Sequence, residues 1–268
     1  LEPLVAGTIG KRDAFVPAIW TGPNGDLYRV IDYRIDPPEI LCEGPVDVGY
    51  QTRGILVDRV DIHRDHRRPL ALGRAAVGYG VLNISRQVVG YREQHFSGAE
   101  RTKELERGWP PVEFVTDGLY IEIDPEWVED DPNRDGTIRA FEHVLLSAVP
   151  VVVSCDPYDF DASSDRRTVY LYDSFGGGLR MSESAFDRLP EVLTIGRDII
   201  ATCPCASGCP GCVMLNRRPD GNAGLSKAGA LQLFERIIES LENAPEGEVE
   251  GAETDDLTVT SGGGVAAS

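Results

Sequence analysis

The run CPCASGCPGC at residues 203–212 places Cys203, Cys205, Cys209 and Cys212 within ten positions, with glycine and proline between them. The spacing C-x-C-x3-C-x2-C can bring four sulfurs to one point, each about 2.3 Å from a tetrahedral Zn²⁺. Gly208 and Gly211 permit positive φ, and Pro204 and Pro210 fix φ near a turn value, so a short loop can fold the thiols inward. Other chemistries use the same residue types. Two disulfides would have to meet strict Cα separations and dihedrals inside one crowded loop. A redox C-x-x-C pair, Cys209 and Cys212, leaves Cys203 and Cys205 without a role and lacks a thioredoxin-like βαβ frame. An iron–sulfur cluster also takes four cysteines. Zinc is the leading reading and iron–sulfur the second. Four protein ligands leave no position for water, so such a zinc is structural. The other cysteines, Cys42 and Cys155, lie far off in apolar, strand-like surroundings.

Weaker candidates stand elsewhere. DPNRDGTIRAFE, residues 131–142, fits a Ca²⁺-loop template through Asp131, Asn133, Asp135, Gly136, Ile138 and Glu142. The entering segment reads as a strand and no second loop pairs with it, so an acidic turn leading into a helix is the favoured alternative. Gly176, Gly177 and Gly178 could cradle a phosphate before a helix, but close strand-to-helix packing is the preferred reading. His143 could act as a base, yet a lone histidine on an apolar helical face more often belongs to the core. DPYDFDASSD at 156–165 reads as a solvated acidic loop before it reads as a cation site. For nucleic acid, Arg64, Arg67 and Arg68 form one basic cluster, and Arg217 and Arg218, just after the cysteines, form another. The latter pair is the expected phosphate contact. No catalytic set of Ser, His and Asp, and no carboxylate pair that sequence can bring together, is visible, so whether the chain is itself an enzyme is left open.

The elements that must position these residues alternate in period. AIWTGPNGDLYRVIDYRI has a turn at residues 23–26 between two alternating segments, and ILVDRVDIH, GYGVLNISRQVVGYREQ and PVEFVTDGLYIEID continue the strand pattern. Helical spacing takes over at Ile138, Phe141, Val144, Leu145 and Ala148, predicting a helix over about Thr137 to Val149. RRTVYLYDSF returns to strand. SESAFDRLPEVLTIGRDII reads as a helix capped by Ser182, and LSKAGALQLFERIIESLENA as another capped by Ser226. The fold class is therefore α+β, mainly antiparallel sheet with packed helices and a four-cysteine structural zinc loop. Three parts are expected: a β-rich N-terminal subdomain at 1–75, an α+β zinc-binding domain at 76–243, and a solvated acidic tail at 244–268.

The chain has 268 residues and 41% apolar content, enough for a real core. No run approaches the roughly 18 consecutive apolar residues of a membrane span, so a cytoplasmic location is expected. The net charge of −18 argues against a broad nucleic-acid surface. Only Lys11, Lys103 and Lys227 of the 26 basic residues are lysine. Abundant carboxylate with so little lysine suits a protein kept soluble in high salt, where the charge speaks of habitat more than of partner.

With its flanks, the segment YLYDSFGGGLRMSESAFDRL followed by CPCASGCPGCVMLNRRPDGNAGLSKAGALQLF resembles the zinc-binding C-terminal domain of MrfA-type superfamily 2 DNA repair helicases. The shared signs are the Tyr-Asp and aromatic run before the glycines, the four-cysteine cluster, and the Gly-Asn and Leu-x-Lys approach to a helix. GPVDVGYQTRGI, VVGYRE, FVTDGLYIEI and AFEHVLL extend the likeness over about residues 15–240. One departure is NRRPDGN at 216–222, where relatives often carry a further cysteine. The resemblance implies Cys203, Cys205, Cys209 and Cys212 as zinc ligands. It also implies a module serving two RecA-like motor domains that hydrolyse ATP and translocate 3′ to 5′ on single-stranded or forked DNA. No motor motif stands in this chain: GTIGKRD at 7–13 lacks the phosphate-loop spacing, with Arg12 where the hydroxyl belongs. The expectation is a C-terminal region of a DNA helicase, or its partner in trans. The rivals are a zinc-stabilised accessory or scaffold subunit of a nucleic-acid-processing or defence complex, and thiol redox chemistry at Cys209 and Cys212.

Overall fold

Alternating apolar and polar residues build two antiparallel sheets, and a computed structural model describes residues 15–34, 39–72, 75–105, 108, 110–215 and 221–243, with only the backbone course for 64–72. Arg217, Arg218, the GTIGKRD run and the acidic tail lie outside the described residues, as do the side chains of Arg64, Arg67 and Arg68.

The smaller sheet has the order β1 (Ile19–Thr21), β2 (Leu27–Arg34), β3 (Glu39–Glu43). The hairpin expected at residues 23–26 joins β1 to β2. The larger sheet is built on β4 (Tyr50–Leu72) and β5 (Ala75–His95), paired antiparallel from Tyr50↔His95 to Leu72↔Ala75. That hairpin runs straight across the division expected at residue 75. The strands β6 (Glu100–Glu104) and β7 (Val112–Glu122) then share β5, pairing with opposite ends of it. Beyond β7 lie β9 (Thr168–Asp173) and β8 (Phe160–Ser164).

The sheet curls until its outer strands meet. Ser163 Oγ donates to the Asp58 carbonyl at 3.2 Å, joining β8 to β4. On the concave side sit Leu82, Ile84 and Tyr172. Gly118 makes room there, since a Cβ would overlap the Leu82 side chain. Arg86 crosses this interior, giving Asp58 bonds of 2.9 and 2.6 Å from Nε and Nη2 and Asp161 one of 2.6 Å. The Tyr172 hydroxyl donates to the same Asp58 carboxylate at 2.5 Å. Burial, with the Asp58 charge beside it, pushes Tyr172 well above its ordinary value. A phenol held neutral in the fold but free to ionise when unfolded stabilises only while both states are protonated. That contribution is complete below about pH 10 and is lost as pH rises further. Thermal midpoints measured from pH 8 to 11 should fall at the alkaline end, and Tyr172→Phe should flatten that fall.

The opposite face carries the main core. The helix α2 (Arg134–Val153) lies between the sheet and the pair α4 (Leu189–Thr202) and α5 (Lys227–Glu242), with the short α1 (Pro125–Val128) and α3 (Met181–Asp187) at its ends. The α2 segment is long and apolar enough to cross a membrane by composition, yet 72% of that window is buried inside the protein. Being covered by sheet on one side and helices on the other, it is apolar nearly all round. Helix α4 approaches α5 through Gly196, where a Cβ would lie 2.5 Å from the Phe234 ring. Phe234 in turn meets Phe141 of α2 at 4.5 Å between centroids.

Two expectations are corrected here. The helix foreseen over Thr137 to Val149 begins and ends several residues wider. The helix foreseen from Ser182 onward is two helices, broken before Pro190, and Ser182 is not its cap. Asp173, wholly buried, accepts instead from the backbone N–H groups of Leu179, Met181 and Ser182. The Tyr-Asp motif thus ends a strand with the acceptor that starts α3. Ser226 does cap α5, accepting from Gly229 N–H at 3.1 Å.

Candidate metal centre

Helix α4 ends at Thr202, and Cys203 turns to an extended conformation at φ −74° and ψ 123°, which sends the chain into the cysteine loop. Gly208 takes φ 122° against the Val213 side chain, a conformation that favours glycine. The loop then doubles back, with Cys212 N–H donating to the Cys209 carbonyl at 3.0 Å.

The four sulfurs converge. Sγ separations are 3.6 Å for Cys203 to Cys205, 3.5 Å for Cys203 to Cys209, 3.4 Å for Cys205 to Cys212 and 3.8 Å for Cys209 to Cys212. All four sulfurs lie within 4.8 Å of one another. A tetrahedron with Zn–S bonds of about 2.3 Å has edges of about 3.8 Å, so the donor set fits a single ion. The distances are far too long for a disulfide. They do not single out Cys209 and Cys212 as a redox pair. A cluster of several irons would hang its thiolates on different metal atoms and spread them wider. The residues present therefore fit structural zinc.

The thiols differ in ease of ionisation. Desolvation opposes ionisation of Cys205, but hydrogen bonding from Cys212, Cys203 and Cys209 overrides it and lowers that thiol to about 6. Burial pushes Cys212 up to about 12, and its bond with Cys203 raises Cys209. Four thiolates this close repel one another unless a cation sits among them. Metal uptake consequently releases protons, and affinity falls with falling pH. A competition titration against a chromophoric chelator at pH 8, 7 and 6 should show weaker zinc binding at each step down.

Neighbouring side chains hold the loop. His143 of α2, wholly buried, bonds through Nδ1 to the Val213 carbonyl at 3.0 Å. A carbonyl only accepts, so Nδ1 carries the proton. Lys227 Nζ donates to the Cys203 and Cys205 carbonyls at 2.6 and 2.7 Å and lies 3.5 Å from Cys205 Sγ. Asn222 clamps Leu215 from both sides, accepting from its N–H at 2.8 Å and donating to its carbonyl at 3.3 Å. The weight carried by Lys227 and Asn222 is hidden in the sequence, since bonds from one side chain to a distant stretch of backbone leave no periodic trace. The Gly-Asn and Leu-x-Lys signs of the family resemblance are the available signal.

The other candidates resolve differently. Residues 134–142 belong to α2, so the Ca²⁺-template residues follow a helix instead of wrapping a common centre. Asp131 accepts from Thr137 Oγ1 at 2.5 Å, Asn133 donates to the Gly224 carbonyl at 2.9 Å, and buried Glu142 accepts from Ser164 Oγ at 2.5 Å. Gly136 is needed for close approach, because a Cβ would overlap the Gly224 carbonyl oxygen. Gly136→Ala should lower stability by about 1–3 kcal/mol, read from urea unfolding, by forcing a methyl group against the Gly224 backbone. In the glycine run, Gly177 N–H donates to Val115 O and Gly178 N–H to Phe175 O, so both are occupied within the fold. The acidic stretch at 156–165 is half strand, with Asp161 held by Arg86 and Asp165 accepting from the N–H groups of Arg167 and Thr168.

The whole is a zinc-type module of four cysteines set between helices on a curled antiparallel sheet. Residues 141–213 match the family model described as MZB, the MrfA Zn-binding domain, a span that takes in most of α2, then β8, β9, α3, α4 and all four cysteines. Over 178 residues, 63% of this chain, the sequence is 24% identical to the "Uncharacterized ATP-dependent helicase YprA" of Bacillus subtilis (strain 168). A crystal structure of the helicase MrfA bound to DNA shares the fold over 85% of this chain, with a TM-score of 0.57 at 21% identity. The chain spans 23% of the first relative and 31% of the second.

Proposed function

We propose that this chain is the zinc-stabilised C-terminal region of an ATP-dependent DNA helicase of the DNA repair type, supporting DNA binding by motor domains that lie outside it in cis or in trans. The observation that carries the reading is the convergence of four thiols within the segment that matches the MrfA Zn-binding domain. Cys203, Cys205, Cys209 and Cys212 are the zinc ligands in this reading. ATP is handled by the motor, the DNA is single-stranded or forked, and the setting is cytoplasmic.

Arg217 and Arg218 are the proposed phosphate contacts. Supporting them, the described residues on either side of that pair are firmly held: Leu215 by Asn222, and the Gly221 carbonyl by Arg139 Nη2 at 3.0 Å. Arg92, which faces Arg53 directly across β4 and β5, reaches close to Gly221. Arg139 and Arg92 thus both reach Gly221, three positions after the proposed pair.

Fluorescence anisotropy with single-stranded, duplex and forked oligonucleotides across a salt series tests the reading. Binding should favour the single-stranded and forked forms. Replacing Arg217 and Arg218 with alanine should reduce the log–log salt slope by about 1.4, roughly 0.7 for each phosphate no longer neutralised. An unchanged slope would count against these two residues, and equal weak binding of all three DNAs against the DNA role itself.

A further inference from the structure

Lysine is scarce in this chain, 3 of 26 basic residues, and one of the three stands where helix physics disfavours it. Lys227 is the first residue of α5, whose N-terminal turn has no acidic residue to balance it. The positive end of the helix dipole repels a cation there. A local rule broken without local compensation signals that something else holds the residue in place.

What holds it is the cysteine loop. Its ammonium has three donors, and three acceptors surround it: the Cys203 carbonyl at 2.6 Å, the Cys205 carbonyl at 2.7 Å and Cys205 Sγ at 3.5 Å. Four thiolates around Zn²⁺ carry a net charge of about −2, so a single cation at this point offsets part of the excess. The tetrahedral ammonium can aim its donors at three converging acceptors, whereas a guanidinium directs its five in one plane. The other 23 basic residues are arginine, so the use of lysine at this point follows the geometry and not the composition.

We infer that Lys227 is a positioning residue for the metal centre, balancing its charge and latching the start of α5 to the loop, so that metal retention and docking of that helix are coupled. Whatever strengthens one strengthens the other, by the reciprocity that binds any two linked equilibria. The inference rests on the four cysteines being zinc ligands and does not depend on the helicase reading.

Zinc affinity by chelator competition, together with amide exchange on the full chain, tests it in the wild type, Lys227→Met and Lys227→Arg. The expected order is wild type, then Lys227→Arg, then Lys227→Met, with Lys227→Met weaker by about 10–100-fold, the usual cost of losing a group that orients metal ligands. Exchange should rise in residues 203–212 and the first turn of α5 while the middle of α2 stays protected. If Lys227→Met does not fold, Lys227→Arg still reports, with weaker zinc binding expected. Equal zinc affinity and equal exchange in the variants would overturn the inference and leave the ligand assignment standing. A wild type that binds no zinc would remove the assignment itself, and the inference with it.

Discussion

Replacing Cys212 with alanine should bring bound zinc well below one per chain and collapse the helical layer, while Cys42→Ala leaves the metal in place. Cys212 is the buried member of the four, 3% exposed, and the chain runs on from it into Val213, the residue that His143 holds. Losing one thiolate opens the coordination sphere and leaves three thiols crowded without the ion that reconciles them. Structural zinc contributes about 10–16 kcal/mol of apparent binding energy, as much as the whole stability of an ordinary domain. Its loss should be visible as a lower thermal midpoint and rapid amide exchange across α4 and α5. The smaller sheet packs on β5 through a second core of Phe15, Ala18, Val30, Val88 and Tyr91, away from the helical layer, and should be less affected. Cys42 lies on β3 in that separate sheet, which makes it the suitable control.

The second large effect concerns Arg86. Its side chain is 16% exposed and those of Asp58 and Asp161 are 9% and 22% exposed, so removing the guanidinium strands two carboxylates inside the curl of the sheet. Burial works against this cation, but the Asp58 hydrogen bond and the Asp161 charge hold it well above its ordinary value. Arg86→Leu should cost about 3–5 kcal/mol, the range for breaking a buried pair from one side. Replacing Asp58 and Asp161 by asparagine in the same variant should return part of the loss, because neutral amides are less penalised by burial. Lysine should not restore it, since the bidentate bonds to Asp58 with a third to Asp161 need the planar fork. Urea unfolding of the single, triple and lysine variants measures each step. Stability unchanged in Arg86→Leu would show that the network is dispensable.

How much of this is legible in the sequence depends on range. Short-range signals carry well: the turn at 23–26, the alternating strands that become β5 and β7, and Ser226 as a cap all follow from neighbouring residues. The cysteine loop is legible because its four donors lie within ten positions and its turns are written in glycine and proline. Long-range effects are not. Asp173 takes over the capping role from Ser182 across nine positions, and no propensity foretells that. The Ca²⁺-like spacing is a coincidence, and the favoured reading of an acidic turn entering a helix holds: Asp131 accepts from Thr137, Asn133 and Gly136 both serve the approach to Gly224, and Glu142 accepts from Ser164. Inside the curl of the sheet Arg86 meets Asp161 75 positions away, a pairing that alternation along one strand cannot express.

Four thiolates of one loop hold one ion and thereby fix α4 and α5 against α2. Elemental analysis of the protein purified without added metal tests it most directly. About one zinc per chain is expected, with no iron, lost together with the helical layer's amide protection when a strong chelator is added. Protein that is metal-free yet equally protected, or that carries iron in place of zinc, would contradict it.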